Sequence, residues 1–562
     1  MYGTKWVWRF AGSVLLAALC GGMFAQAPAA DGKPYLTASE QDMQWWREAR
    51  FGMFVHWGPV SLKGTEIGWS RGGERRGTGG DKGEIPVEVY DNLYKEFNPV
   101  KFDAKEWVAI AQAAGANYLV FTTKHHDGFC EFDSALTDYK ITNSPFKRDV
   151  VKELAEACHA AKLRLGFYYS PPDWHHPEYR TERHAQYIQY LHGQLRELCT
   201  NYGQLDVVWF DGLGGTAKDW DSENLFKMIR ELQPHTIINN RAGLPADFDT
   251  PEQTIGRFQK NRAWESCITI CNQWAWKPND ELKPLKTCID TLVRCAGGDG
   301  NLLLNVGPMP TGEIEPRQVE RLKEMGAWLK QYGESIYGTR GGPFRPGKWG
   351  AATCKDARIY LHVLAWPDNV LKLPAIPNKV VASSVLTGGT VQVSQTGEGL
   401  SVSVPKEHRR ELDTIVVLEL DGPADQAGMI STLSHSLCMG KKATASNVYQ
   451  NMSEHAPGKA LDDDPNTRWA TDAGTHSAWL EVDLERPQRI GSVFMSEEYE
   501  RTQLFSLEYL EGQVWKPLVE GTKIGLECEL TFKPVTTPKL RLNIRQATEG
   551  PTLWEFQVFP AR

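Results

Sequence analysis

Several patterns that would assign this 562-residue chain to a common class are missing from it. Cysteine is sparse at 11, and no CxxC pair occurs, so neither a dense disulfide scaffold nor a zinc ribbon fits. Cys267 and Cys271 are separated by three residues, with no second pair nearby. The remaining cysteines are scattered and read as small buried hydrophobes, with room for at most a single disulfide. There is no His-x-His and no HExxH, which removes the usual ligand pairs of metal-dependent hydrolases. No GxGxxG follows an early strand, which argues against a dinucleotide-binding sheet. The net charge is -8 and no polybasic block occurs, so nucleic acid and membrane surfaces are excluded as partners. Beyond the N-terminus no apolar run is long enough to span a bilayer.

The N-terminus itself has a targeting layout. Lys5 and Arg9 precede an apolar run from Val14 to Met23, followed by Phe24-Ala25-Gln26-Ala27. That is a secretory signal over 1–27, with cleavage between Ala25 and Ala30, and the mature protein is expected to be secreted or periplasmic. A lipid anchor at Cys20 ranks second, because Leu19 is bulkier than the usual residue before a lipidated cysteine.

What the chain does contain is an alternation of strand and helix signals over 28–340. Strand candidates are Gly52–Trp57, Tyr118–Thr122, Arg164–Tyr169, Asp206–Phe210, Thr236–Asn240, Ser266–Cys271 and Leu302–Val306. Helix candidates are Asp103–Ala114, Val150–Ala161, Arg180–Tyr202, Asn224–Leu232 and Pro316–Gln331. This spacing predicts an α/β fold, a (β/α)8-like (TIM-type) barrel, with a weak helix signal between the fifth and sixth strands. After Gly341-Gly342-Pro343 the pattern turns all-β. Residues 341–425 read as a small β-sandwich, with strand candidates from Arg358–Ala365 to Thr414–Leu420, and 430–562 as a second β-sandwich domain.

The strand ends carry the chemistry. Leu205-Asp206-Val207-Val208-Trp209-Phe210-Asp211-Gly212 stops on a carboxylate and then glycines, which leave space for something to approach it. The first strand ends on His56-Trp57, the second on His125-His126, the third on Tyr168-Tyr169 and the fifth on Asn240-Arg241. Polar ends converging at the C-terminal mouth of a barrel form a site. Adjacent His125 and His126 diverge on a regular strand. With Tyr, Trp and Arg around them they suit sugar hydroxyls better than a metal, so no metal and no catalytic cofactor is expected in this site. The 20 tryptophans fit the same reading, since flat aromatic faces suit sugar rings.

A sugar-cleaving site built on Asp211 needs a second carboxylate. The candidates are Glu252, in a loop after the fifth strand, and Glu265, which opens the sixth. A loop carboxyl closed over by aromatics has the raised pKa a general acid requires.

The set His56-Trp57-Gly58, His125-His126-Asp127-Gly128-Phe129, Tyr168-Tyr169-Ser170 and Trp209-Phe210-Asp211-Gly212 resembles glycoside hydrolase family 29, the retaining α-L-fucosidases. The resemblance spans about 43 to 340. It implies that Asp211 is the nucleophile and that His56, His125, His126, Tyr168, Trp209 and Arg241 line a fucose pocket. The family's Glu-Trp contact corresponds here to Glu66-Ile67-Gly68-Trp69. Thr250-Pro251-Glu252-Gln253 resembles the branch acting on α-1,3/1,4-linked fucose, which favours Glu252 over Glu265 as acid/base. Trp274 and Trp276 are then expected to close the pocket. Lys442-Ala443-Thr444-Ala445-Ser446, Asp462-Asp463-Asp464-Pro465-Asn466-Thr467-Arg468-Trp469 and Trp479-Leu480-Glu481-Val482 resemble the factor V/VIII type C, discoidin-like, domain. That implies carbohydrate binding and a structural Ca²⁺ in the Asp-rich loop. The resulting expectation is an exo-acting fucosidase on fucosylated oligosaccharides or glycoconjugates. The rival readings are a glycosidase for another terminal sugar and a non-catalytic carbohydrate-binding protein on a barrel scaffold.

Overall fold

In the computed structural model, residues 35–561 are described apart from 79–82, 367, 428–429, 431–435, 465–466 and 527. The signal segment and Cys20 lie outside the described residues. No helix among the described residues is long and apolar enough to cross a membrane.

The first unit is built on seven parallel strands: β1 (Phe51–Val55), β2 (Tyr118–Lys124), β3 (Arg164–Tyr169), β4 (Val207–Phe210), β5 (Ile237–Ile238), β6 (Glu265–Thr269) and β7 (Asn301–Val306). They pair in the order β5-β4-β3-β2-β1-β7-β6. The predicted strands all form. Side chains alternate between two buried layers, as the two-residue period of a strand requires. Phe54, Tyr118, Tyr168, Val207, Trp209 and Leu303 fill an inner cluster, while Met53, Leu119, Phe167, Val208, Phe210 and Leu304 pack outward.

The helices cover that outer layer. Ala104–Ala114 starts at Asp103, whose carboxylate accepts from the amides of Lys105 and Glu106, and Val150–Ala161 starts at Asp149 in the same way. Ser222–Leu232 and Pro316–Tyr332 also form. Two longer helices, Glu40–Ala49 and Leu285–Gly297, have no counterpart among the predicted segments. In the first the buried residues Met43, Trp46 and Ala49 form one narrow stripe, and the polar residues between them hide the periodicity.

Between β5 and β6 no helix forms among the described residues. An extended segment over 247–253 closes the barrel instead. Isolated parallel bridges join Asn239 to Phe248, Asp249 to Trp264 and Glu252 to Cys267. Glu252 therefore sits on a seam held by a few backbone hydrogen bonds, including Gln253 N–H to Cys267 C=O at 3.0 Å.

The middle unit has a five-stranded antiparallel sheet and a three-stranded one. The first contains β8 (Arg340–Gly341), β9 (Gly350–Lys355), β10 (Arg358–Val363), β12 (Val380–Val385) and β15 (Thr414–Leu420). The second contains β11 (Leu371–Leu373), β13 (Gln392–Thr396) and β14 (Gly399–Ser403). A shared core including Leu361, Leu371, Val402 and Val416 lies between them.

The C-terminal unit is antiparallel throughout: β16 (Lys442–Ala445), β17 (Trp469–Ala470), β18 (Ala478–Glu497), β19 (Thr502–Glu511), β20 (Val514–Gly521), β21 (Cys528–Ala547) and β22 (Thr552–Pro560). The paired β18 and β21 shift register after Asp483 and after Ile490, which bends them around a core including Trp469, Leu480, Leu542 and Phe556. All ten described cysteines are free, and nine are buried.

Candidate active site

A cavity of about 400 Å³ opens at the C-terminal ends of the strands. Its wall includes His56, Trp69, His125, His126, Tyr168, Trp209, Asp211, Arg241, Glu252 and Trp274. Trp209 and Asp211 are two residues apart, so both face inward, and Tyr168 stacks on Trp209 at 5.6 Å between centroids.

Asp211 is held by two hydrogen bonds, with His126 close by. Tyr168 Oη donates to its Oδ2 at 3.0 Å, Arg241 Nη1 to its Oδ1 at 3.1 Å, and His126 Nε2 stands 3.5 Å from Oδ2. Burial acts to raise its pKa, but Arg241 and the tyrosine hydrogen bond outweigh it and hold the carboxyl below the usual range. A carboxylate kept ionised at the bottom of a pocket is a competent nucleophile.

The same Arg241 Nη1 donates to Glu252 Oε2 at 2.7 Å. Its Nε and Nη2 are anchored on Thr250, at Oγ1 2.7 Å and C=O 2.8 Å, and its guanidinium lies 4.8 Å above the Trp209 ring. One fixed cation thus ties the carboxylate of β4 to the carboxylate of the seam.

The histidines are set as neutral acceptors. Ser170 Oγ donates to Pro172 C=O at 2.6 Å, so it accepts from His126 Nδ1 at 2.6 Å, and His126 Nε2 is left as a lone pair. Asn305 Nδ2 donates to Trp274 C=O, so its Oδ1 accepts from His56 Nδ1 at 2.7 Å, leaving His56 Nε2 as a lone pair as well. Burial depresses His56 to about 3 and His126 to about 4, and takes His125 well below its ordinary value. His125 stacks flat on Tyr168, with 4° between planes. Imidazole lone pairs beside a carboxylate match hydroxyl donors on a ligand.

Three residues expected at the pocket lie elsewhere. Glu265, at the N-terminal end of β6, is 1% exposed and is absent from the cavity wall. It accepts from Tyr118 Oη, from Trp209 Nε1 at 3.0 Å and from Trp46 Nε1 at 3.3 Å. Burial pushes its pKa up to about 7 against those hydrogen bonds. Glu66 accepts the backbone amides of Trp274 and Ala275 at 2.8 and 3.0 Å, so it holds the loop that carries Trp274 and does not itself line the cavity. Trp276 is not part of the wall that Trp274 joins. Trp69 does line it, and Gly68 explains the spacing. At φ +67° it packs against His125, and a Cβ there would meet Nδ1 at 2.7 Å. The space beside Gly212 is filled by the Arg241 carbonyl, which a Cβ would meet at 2.1 Å, so that glycine admits backbone and not ligand.

Ser170, Asn305, Thr250 and Lys124 were not singled out for the site. Lys124 is fully buried, and its Nζ donates to Asp173 at 3.1 Å below the His126 loop. Asn305 follows the same rule as the other strand-end residues, being polar near the end of apolar β7. The others act through backbone or partner side chains and leave no pattern of their own.

A family model described as Alpha-L-fucosidase matches residues 26–334, and one described as F5/8 type C domain matches residues 442–556. Human plasma alpha-L-fucosidase is 31% identical over 367 residues, covering 58% of this chain and 76% of that protein. Alpha-L-fucosidase isoenzyme 1 from Paenibacillus thiaminolyticus is 38% identical with a TM-score of 0.62, covering 68% of this chain and 99% of that one. A Bacteroides thetaiotaomicron alpha-L-fucosidase, solved as a trapped covalent intermediate with 2-fluoro-fucosyl fluoride, is 28% identical with a TM-score of 0.62 over 69% of this chain and 97% of its own.

Proposed function

Since this chain belongs to the α-L-fucosidase family, we propose that it is a retaining exo-α-L-fucosidase in which Asp211 is the nucleophile and Glu252 the acid/base. The observation that carries this reading is the shared Arg241 Nη1. Two carboxylate oxygens at 3.1 and 2.7 Å from one nitrogen are under about 6 Å apart, nearer the roughly 5–5.5 Å of retaining enzymes than the roughly 6.5–9.5 Å of inverting ones. Asp211 attacks the anomeric carbon while the Glu252 carboxyl gives its proton to the leaving oxygen. Glu252 then takes a proton from the water that releases fucose, with the anomeric configuration kept. Glu265 is unsuited to either step, since its oxygens are occupied by three donors beneath the pocket floor. The covalent intermediate of the Bacteroides protein supports the same chemistry here.

No cofactor enters this scheme. Ligand atoms of His125, His126 and Asp211 lie within 4.8 Å of one another, but both Asp211 oxygens already accept from Tyr168 and Arg241. The trio is assigned to sugar hydroxyls. Terminal fucose in α-1,3 or α-1,4 linkage is the proposed substrate, on the Thr250-Pro251-Glu252-Gln253 pattern, and export is proposed from the N-terminal layout.

The C-terminal domain is assigned to carbohydrate binding with a structural Ca²⁺. Glu555 Oε1 is buried without a partner, burial pushes that carboxyl up to about 8, and Asp462 accepts from Thr467 Oγ1 at 2.8 Å. An orphaned buried oxygen beside an Asp-rich loop fits a hard cation with oxygen ligands, held by Asp462 and Glu555. Chelator should lower the melting temperature of this domain, and Ca²⁺ should restore it.

The central test is proton NMR of the first-formed fucose from defined oligosaccharides. Initial release of the α-anomer is expected, and initial β-anomer would overturn retention.

A further inference from the structure

The seam that carries Glu252 lacks the crossover helix that braces the other strands, and its outer side is braced by other domains. From Gln253 the chain runs through a loop to Trp264. Gly256 packs on the Trp264 ring, and Gln259 N–H donates to Gly298 C=O at 3.3 Å. Phe258 packs against Gly342 at the start of the middle unit. Arg257, five residues beyond Glu252, has its guanidinium over Trp554 of β22, 3.6 Å from the ring centroid. Arg468 covers Trp554 as well, at 5.0 Å, and forms an ion pair with Glu498.

Trp554 is 7% exposed yet lies outside the apolar core of its own domain. Phe494 is similar: 6% exposed, outside that core, and covered at 4.8 Å by Arg345 of the middle unit. Two aromatics that a domain does not use for its own core, each buried under a guanidinium from another domain, form a docking face. The face presses on the loop that follows the acid/base carboxyl.

We propose that the C-terminal domain is a brace for the acid/base, and that Arg257 and Trp554 are positioning residues that keep the Glu252 segment in reach of the leaving oxygen. This inference rests on the reading of Glu252 as the acid/base. A shift of the segment by about 1 Å is enough to cost on the order of 10²-fold in rate for a step that depends on its geometry. In the step that forms the glycosyl-enzyme, only protonation of the leaving group depends on it, because Asp211 is mounted on β4; the later activation of water is common to every fucoside.

The experiment compares Arg257→Ala and Trp554→Ala, in the full chain, on a fucosyl disaccharide and on an activated aryl fucoside that needs little protonation. Expected is a fall in kcat/KM, which reports formation of the glycosyl-enzyme, of about tenfold or more on the disaccharide, with the aryl fucoside within about twofold. Trp554→Phe and Arg257→Lys, which keep a ring and a cation, should recover most of the loss. Equal losses on both substrates, or no loss on either, would overturn the brace. Glu252→Ala is measured beside them with azide. If that variant does not discriminate between the substrates, the acid/base assignment fails. If it discriminates and the Arg257 and Trp554 variants do not, the coupling alone fails.

Discussion

Replacing Glu265 separates a structural carboxyl from a catalytic one, and its magnitude follows from three hydrogen bonds. Trp209 Nε1 and Trp46 Nε1 can only donate. They meet Oε1 and Oε2 of Glu265 respectively, and Tyr118 donates to Oε2 as well. In Glu265→Gln one of those oxygens becomes an amide nitrogen. Either rotamer then leaves one buried indole N–H without an acceptor, at a cost of about 1–3 kcal/mol. A protonated glutamate has no such defect, since both its oxygens still accept.

The pH dependence runs the other way from an ordinary ion pair. Burial raises Glu265 from 4.5 to about 7, so the folded state favours its protonated form. The stability tied to that proton is fully present below the unfolded value and is lost as pH rises through 7, by roughly 3 kcal/mol in total. Glutamine does not titrate. Wild type should therefore exceed Glu265→Gln in stability most clearly near pH 5, and the gap should narrow toward pH 8. Denaturant melts at both pH values check this. In parallel, Glu265→Gln should keep kcat within about tenfold of wild type and show no azide rescue. A gap that widens with pH, or a several-hundred-fold rate loss restored by azide, would refute the structural assignment and return Glu265 to candidacy as acid/base.

Asp211→Asn should lower turnover by at least about 10³-fold while the melting temperature stays close to wild type, measured with an aryl fucoside and by calorimetry. Ser170→Ala frees His126 to adopt either tautomer, so KM for the fucoside should rise about tenfold with little change in kcat. Glu131 is 1% exposed with neither carboxylate oxygen partnered, and burial raises its pKa well above the usual range. Glu131→Met should therefore stabilise the protein by about 1–3 kcal/mol at pH 7, and the gain should grow as pH rises from 5 to 8 in denaturant melts. Asp299 is buried against Arg50 at 2.6 Å and is also paired with Arg340. Despite burial, which raises it, the two arginines hold it at about 2. Its contribution of roughly 2.5 kcal/mol is present above the unfolded value near 3.8 and lost as pH falls toward 2, so Asp299→Asn should flatten the acid limb of the stability curve.

The barrel was legible because its strands are short apolar runs ending on polar residues, and period two buries both faces of each run. His56, His126, Asp211 and Arg241 follow from that rule. What could not be read is direction. Glu252 and Glu265 are both acidic residues near the sixth strand, and only the seam's pairing with Cys267 turns one to the cavity, while three buried donors hold the other below. Glu66 and Trp276 are absent from the cavity wall for a related reason. Glu66 stands three residues before Trp69 and Trp276 two after Trp274, and nearness in sequence does not fix which side chain turns inward. The two missed helices and the Arg257–Trp554 contact depend on packing between distant segments, where local periodicity carries no signal.

The two carboxylates differ in how stiffly they are mounted. Asp211 extends from a strand paired on both sides, whereas Glu252 rides on isolated bridges and side-chain contacts. The pocket thus works like a vice with one fixed and one adjustable jaw. A bulky aglycone or a strained inhibitor will displace residues 248–262 before it displaces 207–211, so structures with different ligands should superpose on the nucleophile and fan out at the acid. Changes of linkage preference are then cheapest along the adjustable jaw, where residues can be exchanged without disturbing the pairing of the sheet.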